Sequence, residues 1–409
     1  MKKRYSWPEG HWNWPVELTH QHGVRAGDYI FTGGQADLDA NGRVRHPGNL
    51  QAQVDSVFGY LKNILHDLDA EVDDLVRLVV YFVGDDTVEK NILLQLGDAI
   101  GANAKPVVNT IPLPQLCYPD MLIELEGVAM KASRGNRLVR CNYTLDCLAP
   151  IPVQFSHVVR CGSAIFTGDI TAIDTVGSVL EPEDVNAQTT LMMDQLCKAL
   201  DVVGADCGDV LKLNVFYVGD GTAANWEQPA LIRQSYFNDP GPAATGISLP
   251  DLAVAGLMTK IAVTAMRIYE NSDSRRLPKI YSWPGGHWDW TIALPYKHGN
   301  QCGNLIHLGG QVSLDINANV LSPGDMVAQT RTAMDNIKKV LAELGATLDD
   351  VVKVTAFYQG EASAEALHQN LLVRSNAYKK PGPATSGIPV PTLVYENMLI
   401  EIEVTAVVT

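Results

Sequence analysis

Three copies of one nine-residue stretch hold the residues best suited to chemistry: Leu122 to Met130 (LIELEGVAM), Met258 to Met266 (MTKIAVTAM) and Leu399 to Val407 (LIEIEVTAV). Read with the two-residue period of a strand, Ile123, Leu125 and Gly127 share one face of the first copy, and Glu124 and Glu126 share the other. Across the three copies the polar face reads Glu124, Lys260, Glu401 at one position and Glu126, Ala262, Glu403 at the next. Charge on the inward side of an aliphatic strand is costly unless paired, so its repetition marks either a paired polar core or a site. Glu124 and Glu401 are candidates to position a reacting water. Lys260 has two readings. Paired with a carboxylate it is structural; in an apolar cleft its pKa falls and it becomes a base or an imine-forming nucleophile.

Other candidates surround this set. His22, His157 and His298 recur at offsets of 135 and 276. Beside a carboxylate, such a histidine works as acid or base at neutral pH; as three copies of one position, they could equally form a hydrogen-bonded ring. His20 with His22 makes an HxH pair, but two ligands do not make a metal site and no metal is expected. The segment Tyr5-Ser6-Trp7-Pro8-Glu9-Gly10-His11-Trp12-Asn13-Trp14 returns as Tyr281-Ser282-Trp283-Pro284-Gly285-Gly286-His287-Trp288-Asp289-Trp290 and is missing from the middle of the chain. Trp, Pro and Gly at this density specify neither a helix nor a regular strand, so an ordered flap is expected. Trp12 and Trp288 would wall a planar substrate, with His11 or His287 supplying a proton; the alternative is that the rings seal internal surfaces. Gln35 and Gln311 follow a Gly-Gly turn, where the middle copy has Asp169-Ile170.

These residues are positioned by repeats. Ile30-Phe31-Thr32-Gly33-Gly34-Gln35 returns at 165 and 306, and Val72-Asp73-Asp74-Leu75-Val76-Arg77 returns at 207 and 348. A period near 135 residues is domain-sized rather than solenoid-sized. Three domains follow, 1–134, 135–270 and 271–409, joined by linkers at 131–137 and 271–279. Within each, two strands near 20–26 and 29–36 form a hairpin. A helix over 50–68 comes next, then a strand over 75–83, a helix over 87–100, a strand entered through Pro106, and the closing strand. The order is β-β-α-β-α-β-β, an α/β (α+β) class. Two helices cover one sheet face only, so the neighbouring repeats are expected to bury the other.

Bulk composition excludes several classes. The chain of 409 residues is 46% hydrophobic and 19% charged, with a net charge of -15, which argues against nucleic acid as a partner. Seven cysteines without a CxxC pair suggest reduced thiols and a cytoplasmic protein. There is neither a signal-peptide pattern nor an apolar run long enough to span a membrane. The sequence carries no P-loop or dinucleotide fingerprint, and no cofactor is expected.

The Gly-Gln after the second strand, the Asp-Asp-Val-Val-Lys before the third, the Pro-Gly-Pro-Ala at 381–384 and the closing Ile-Glu-Ile-Glu-Val-Thr-Ala resemble the Rid family, the reactive-intermediate (enamine/imine) deaminases also called YjgF. The resemblance spans nearly the whole chain, three times over, and is strongest in repeat 3. It implies a covalent pseudo-trimer around a central barrel, with a ligand cleft at each junction of repeats. The family's water-positioning Glu maps onto Glu124 and Glu401. Its carboxylate-holding Arg maps onto Val108, Ala244 and Thr385, so no repeat keeps it there and a 2-imino acid substrate is placed in doubt. Repeat 2, with Asp169 and Lys260, is either specialised or inactive.

The resulting expectation is a cofactor-independent hydrolase or deaminase acting on a C–N bond of a small planar imine, enamine or cyclic amide. Its alternative is a non-catalytic metabolite-binding protein. The chain is expected to be a monomeric pseudo-trimer, with a homodimer as the alternative.

Overall fold

The computed structural model describes residues 2–135, 137–270 and 273–408. Asn136, Asn271 and Ser272, which fall in the linkers read from the sequence, lie outside the described residues, as do Met1 and Thr409. The described chain is a mixed α+β fold of six helices and three sheets.

In repeat 1 the hairpin is Gly23–Ala26 with Tyr29–Thr32, followed by the short strand Gln35–Ala36. The helix Leu50–Asp67 starts where the Asn49 side chain accepts the Ala52 N–H, and it buries Val54, Val57, Leu61, Ile64 and Leu65. Asp184 and Asp325 cap the equivalent helices Val185–Asp201 and Met326–Glu343. The long strand Leu75–Phe82 lies between the parallel strand Val107–Pro112 and the antiparallel closing strand Ile123–Met130. Ile123 and Leu125 turn towards the helices and join one apolar core, as the period-two reading requires. Glu124 and Glu126 take the opposite, helix-free face.

Two segments differ from expectation. The flaps contain short strands, Arg4–Ser6 and Lys279–Ser282, each paired to the first hairpin strand of its sheet. An exposed edge offers unpaired N–H and C=O groups to any passing backbone, which outweighs the weak local preference of the flap sequence. Within the second linker, Asp273–Arg276 forms a strand that pairs back on the closing strand Thr259–Glu270.

The helix-free faces meet at a shared central cavity of about 90 Å³, lined by residues of all three repeats. The expected closure into one barrel is not seen. Among the described residues the sheets stay separate, with seven, eight and six strands. Backbone hydrogen bonds do cross each junction onto the Pro-entered segment without extending into a ladder: Gly34 N–H to Thr385 O at 3.1 Å and Gln21 N–H to Pro383 O at 3.1 Å, Gly310 N–H to Ala244 O at 3.1 Å and Lys297 N–H to Pro242 O at 3.1 Å, and Asp169 N–H to Val108 O at 3.2 Å and Ser156 N–H to Pro106 O at 3.0 Å. Repeat 1 thus abuts repeat 3, repeat 3 abuts repeat 2, and repeat 2 abuts repeat 1.

Candidate active site

Each of these junctions brings one residue of the Glu124, Lys260, Glu401 set against a neighbouring repeat. Glu124 and Glu401 sit where a glycine makes room: a Cβ on Gly34 would collide with the Glu124 carboxyl, and one on Gly310 with that of Glu401. Repeat 2 changes both members together. Asp169 replaces the glycine, and Lys260 replaces the glutamate and pairs with Asp169 at 3.2 Å. The ammonium also donates to the Thr110 carbonyl of repeat 1, while the Asp169 carboxylate accepts from Asn109 Nδ2 at 3.0 Å and the Thr110 N–H at 2.9 Å. Lys260 is therefore held among acceptors, which is the geometry of a counter-ion.

The two glutamates are alike in protonation. Burial pushes the Glu401 carboxyl up to about 8, with Glu403 adding to the rise and Lys212 opposing it. Burial likewise pushes Glu124 up to about 8, helped by Glu126 and opposed by Lys353. Both are neutral acids at pH 7. They differ in their surroundings. Glu124 shares a space of only about 20 Å³ with Trp12, Cys117, Leu367 and Leu371. Glu401 lines a cleft of about 80 Å³ with Trp288, Trp290, Tyr217, Ala230 and Arg233.

Arg233 is the residue that sequence reasoning missed. It projects from the helix Ala223–Gln234 of repeat 2 and is only 6% exposed, yet its Nε and Nη1 have no hydrogen-bond partner. The Tyr296 hydroxyl stands beside it without meeting hydrogen-bond geometry. Its counterpart in repeat 3, Arg374, is fully engaged, with Nε and Nη2 donating to Asn370 Oδ1 at 3.0 and 2.9 Å and Nη1 to Thr385 Oγ1 at 2.8 Å. Repeat 2 has Pro229 and Ala244 at those two partner positions, which frees the guanidinium. The guanidinium absent from strand position 244 thus stands on the helix instead. The available signal was an Arg nine positions before the Pro of each Pro-Gly-Pro-Ala segment (233 and 242, 374 and 383).

The histidines do not join this chemistry. His22 Nε2 bonds the Trp12 carbonyl at 3.0 Å, His298 Nε2 the Trp288 carbonyl at 3.0 Å, and His157 Nε2 the Ala149 carbonyl at 2.8 Å. Each pins the segment entering its own repeat, so they form neither a ring nor an acid–base pair with the glutamates. Burial drives His22 well below its ordinary value, His298 to about 3, and lowers His157. His20 faces elsewhere and bonds the Pro383 carbonyl at 3.3 Å. His11 and His287 bond Gln35 Oε1 and Gln311 Oε1, both at 2.8 Å, and the glutamine Nε2 atoms return to the Gly33 and Gly309 carbonyls. These four residues fasten the flap to the Gly-Gly turn. The flap tryptophans do reach the clefts: Trp12 walls the one holding Glu124, and Trp288 the one holding Glu401.

All seven cysteines are free, and among the described residues no helix is long and apolar enough to cross a membrane.

The family model for endoribonuclease L-PSP matches residues 15–131, 148–267 and 291–408. A RutC family protein of Pyrococcus abyssi is 33% identical over 112 residues, 27% of this chain and 85% of that protein. The 2-iminobutanoate/2-iminopropanoate deaminase of Escherichia coli is 32% identical over 116 residues, 28% of this chain and 87% of that enzyme. The 3-aminoacrylate deaminase RutC of Acinetobacter baylyi is 32% identical over 108 residues, 26% of this chain and 82% of that enzyme. Among solved structures, a chorismatase is similar in fold, with a TM-score of 0.53 at 12% identity over 82% of this chain and 93% of that one.

Proposed function

Because the chain belongs to the endoribonuclease L-PSP family, the Rid or YjgF group, in three consecutive copies, we propose that it is a cofactor-independent hydrolase. On this reading it releases ammonia from a small planar imine or enamine that bears a carboxylate, at the cleft between repeats 2 and 3. The observation carrying the proposal is the unpartnered guanidinium of Arg233 lining the same cleft as the neutral carboxyl of Glu401. Buried donors without acceptors are costly, and they recur here at the Trp226 and Trp288 indoles. A ligand rich in acceptors, with one negative charge, satisfies them. Relatives named for 2-imino acids and for 3-aminoacrylate act on carboxylates of that kind.

In this reading Arg233 holds the substrate carboxylate and Trp288 covers the plane of the C=N group. Glu401 gives its proton to the imine nitrogen as water adds to the carbon, and one proton of that water passes to the same nitrogen, so that it can leave as ammonia. The resulting carboxylate takes a proton from the added hydroxyl as the C–N bond breaks, so that one imine and one water yield one carbonyl compound and one ammonia, with Glu401 protonated again. An enamine takes the Glu401 proton at carbon instead; the iminium so formed adds water, one proton of that water passes to nitrogen, and the Glu401 carboxylate takes the remaining hydroxyl proton as ammonia leaves. We take the chain to act as a monomeric, cytoplasmic pseudo-trimer whose partner is this small molecule, without nucleic acid or membrane.

The test generates 2-imino acids in place from amino acids with an amino-acid oxidase and follows the 2-oxo acid formed. Wild-type chain should accelerate its appearance, and Arg233→Met should lower kcat/KM by roughly 10–150-fold, the worth of a hydrogen bond to a charged group. No acceleration across short, branched and aromatic imino acids would overturn the deaminase reading. Quenching of tryptophan fluorescence by the same compounds without turnover would point to the metabolite-binding alternative.

A further inference from the structure

On the helix-free face of each long central strand stands one base: Arg77, Lys212 and Lys353, related by the same offsets of 135 and 276. Each makes one bond within its own repeat, Arg77 Nε to Asn109 Oδ1 at 2.6 Å, Lys212 to Thr245 Oγ1, and Lys353 to Ser386 Oγ at 2.7 Å. Two of them also meet a carboxylate of the next repeat, Lys212 with Glu403 at 2.7 Å and Lys353 with Glu126 at 3.0 Å. The third carboxylate is missing because its position is Ala262. Among the described residues the terminal nitrogens of Arg77 have no hydrogen-bond partner and no ion pair. Asp169, the other acid at that junction, already pairs with Lys260.

Three bases and two carboxylates therefore line the central cavity of about 90 Å³, an excess of one positive charge in a space where an unbalanced charge is costly. A further donor faces it. His307 is only 8% exposed and its Nε2 has no partner. In the tautomer where the Thr405 hydroxyl donates to His307 Nδ1, 3.1 Å away, Nε2 carries its proton towards the cavity. The volume exceeds the roughly 10–15 Å³ that one water needs. We propose that the central cavity is a binding site for one small inorganic anion, held by Arg77 at the place that a glutamate occupies in the other two repeats. The site is separate from the cleft of Arg233 and Glu401 and does not depend on the reaction assigned there.

The test is thermal unfolding of the full chain while sulfate replaces gluconate, an anion too bulky for the cavity, at constant ionic strength. Wild type should gain several degrees in Tm with saturation, because a ligand that binds only the folded state stabilises it. Ala262→Glu supplies the missing carboxylate and Arg77→Leu removes the unmatched cation, so both should lose this gain. Arg233→Met should keep it. Equal gains in all four proteins would be a general salt effect and would overturn the proposal. A gain lost only in Arg233→Met would place the anion in the cleft and overturn it as well. Should both cavity variants fail to fold, wild-type crystals soaked in bromide decide: an anomalous peak beside Arg77 supports the site, and its absence overturns it.

Discussion

The cleft between repeats 1 and 3 and the cleft between repeats 3 and 2 are built from equivalent positions, yet the second is the roomier, about 80 Å³ against about 20 Å³. Both place a glutamate of raised pKa against a Gly-Gly turn beneath a flap tryptophan. Leu367 and Leu371 line the first, whereas Trp226 and Ala230 take those positions in the second. Arg374 is bound up by Asn370 and Thr385; Arg233 faces Pro229 and Ala244 and stays open. The glutamate is thus not what separates them. A shortened side chain on the facing helix and two lost hydrogen-bond partners do. The third junction is altered differently, since exchanging glycine and glutamate for Asp169 and Lys260 turns a proton donor into an ion pair.

The largest expected effect compares the glutamates directly. Glu401→Gln should lower kcat by about 10²–10⁴-fold, the usual worth of a positioned acid, while Glu124→Gln leaves turnover near wild type. Parallel single-turnover rates of the two variants check this, and equal losses would mean that the narrow cleft also works.

Next comes Lys260→Met. With the cation gone, Asp169 is left without its partner, and unfolding in denaturant should show a loss of about 3–5 kcal/mol. Turnover at the cleft between repeats 2 and 3 should persist. Borohydride trapping of a carbonyl substrate on Lys260 would break the comparison by making the ion pair a nucleophile.

A smaller change is expected from Ala230→Leu, which gives the open cleft the leucine of the closed one. KM should rise with stability little changed, as steady-state kinetics beside a melting curve would reveal. An unaltered KM would mean that the substrate lies elsewhere in the cleft.

The last comparison concerns pH. Both carboxyls are raised from 4.5 to about 8 by folding. The folded protein then binds more protons than the unfolded chain between these values, so the stabilisation they give is complete below about 4.5 and disappears as pH rises through about 8. Glu124→Gln and Glu401→Gln should flatten this decline equally, although only the second impairs turnover. Turnover should itself fall as Glu401 loses its proton. Unfolding free energies across pH 5–9 test the first point, and the pH profile of kcat/KM the second.

Much of this was legible in the residues. The period of two in Leu122–Met130 set which face meets the helices, and the three-fold recurrence located Glu124, Lys260 and Glu401 at one position. The histidine triplet was visible, but its role was not, because a backbone carbonyl eight or ten residues upstream leaves no mark in side-chain identity. Arg233 was hidden for a related reason: it reaches the cleft from a helix, whereas the resemblance pointed to a strand.

What the sequence alone determined is whatever follows from local periodicity and repetition: three α+β units, their buried faces, and the exchange of glutamate for lysine in the second. Tertiary structure decided the rest, because a pKa, an unmet donor or an open volume belongs to groups that only the folded chain brings together. The Glu401 carboxyl is raised because burial against repeat 2 disfavours its charged form. Lys260 is a counter-ion because Asp169 and Thr110 converge on it. Arg233 is free because Pro229 and Ala244 offer no hydrogen bond where Asn370 and Thr385 hold Arg374.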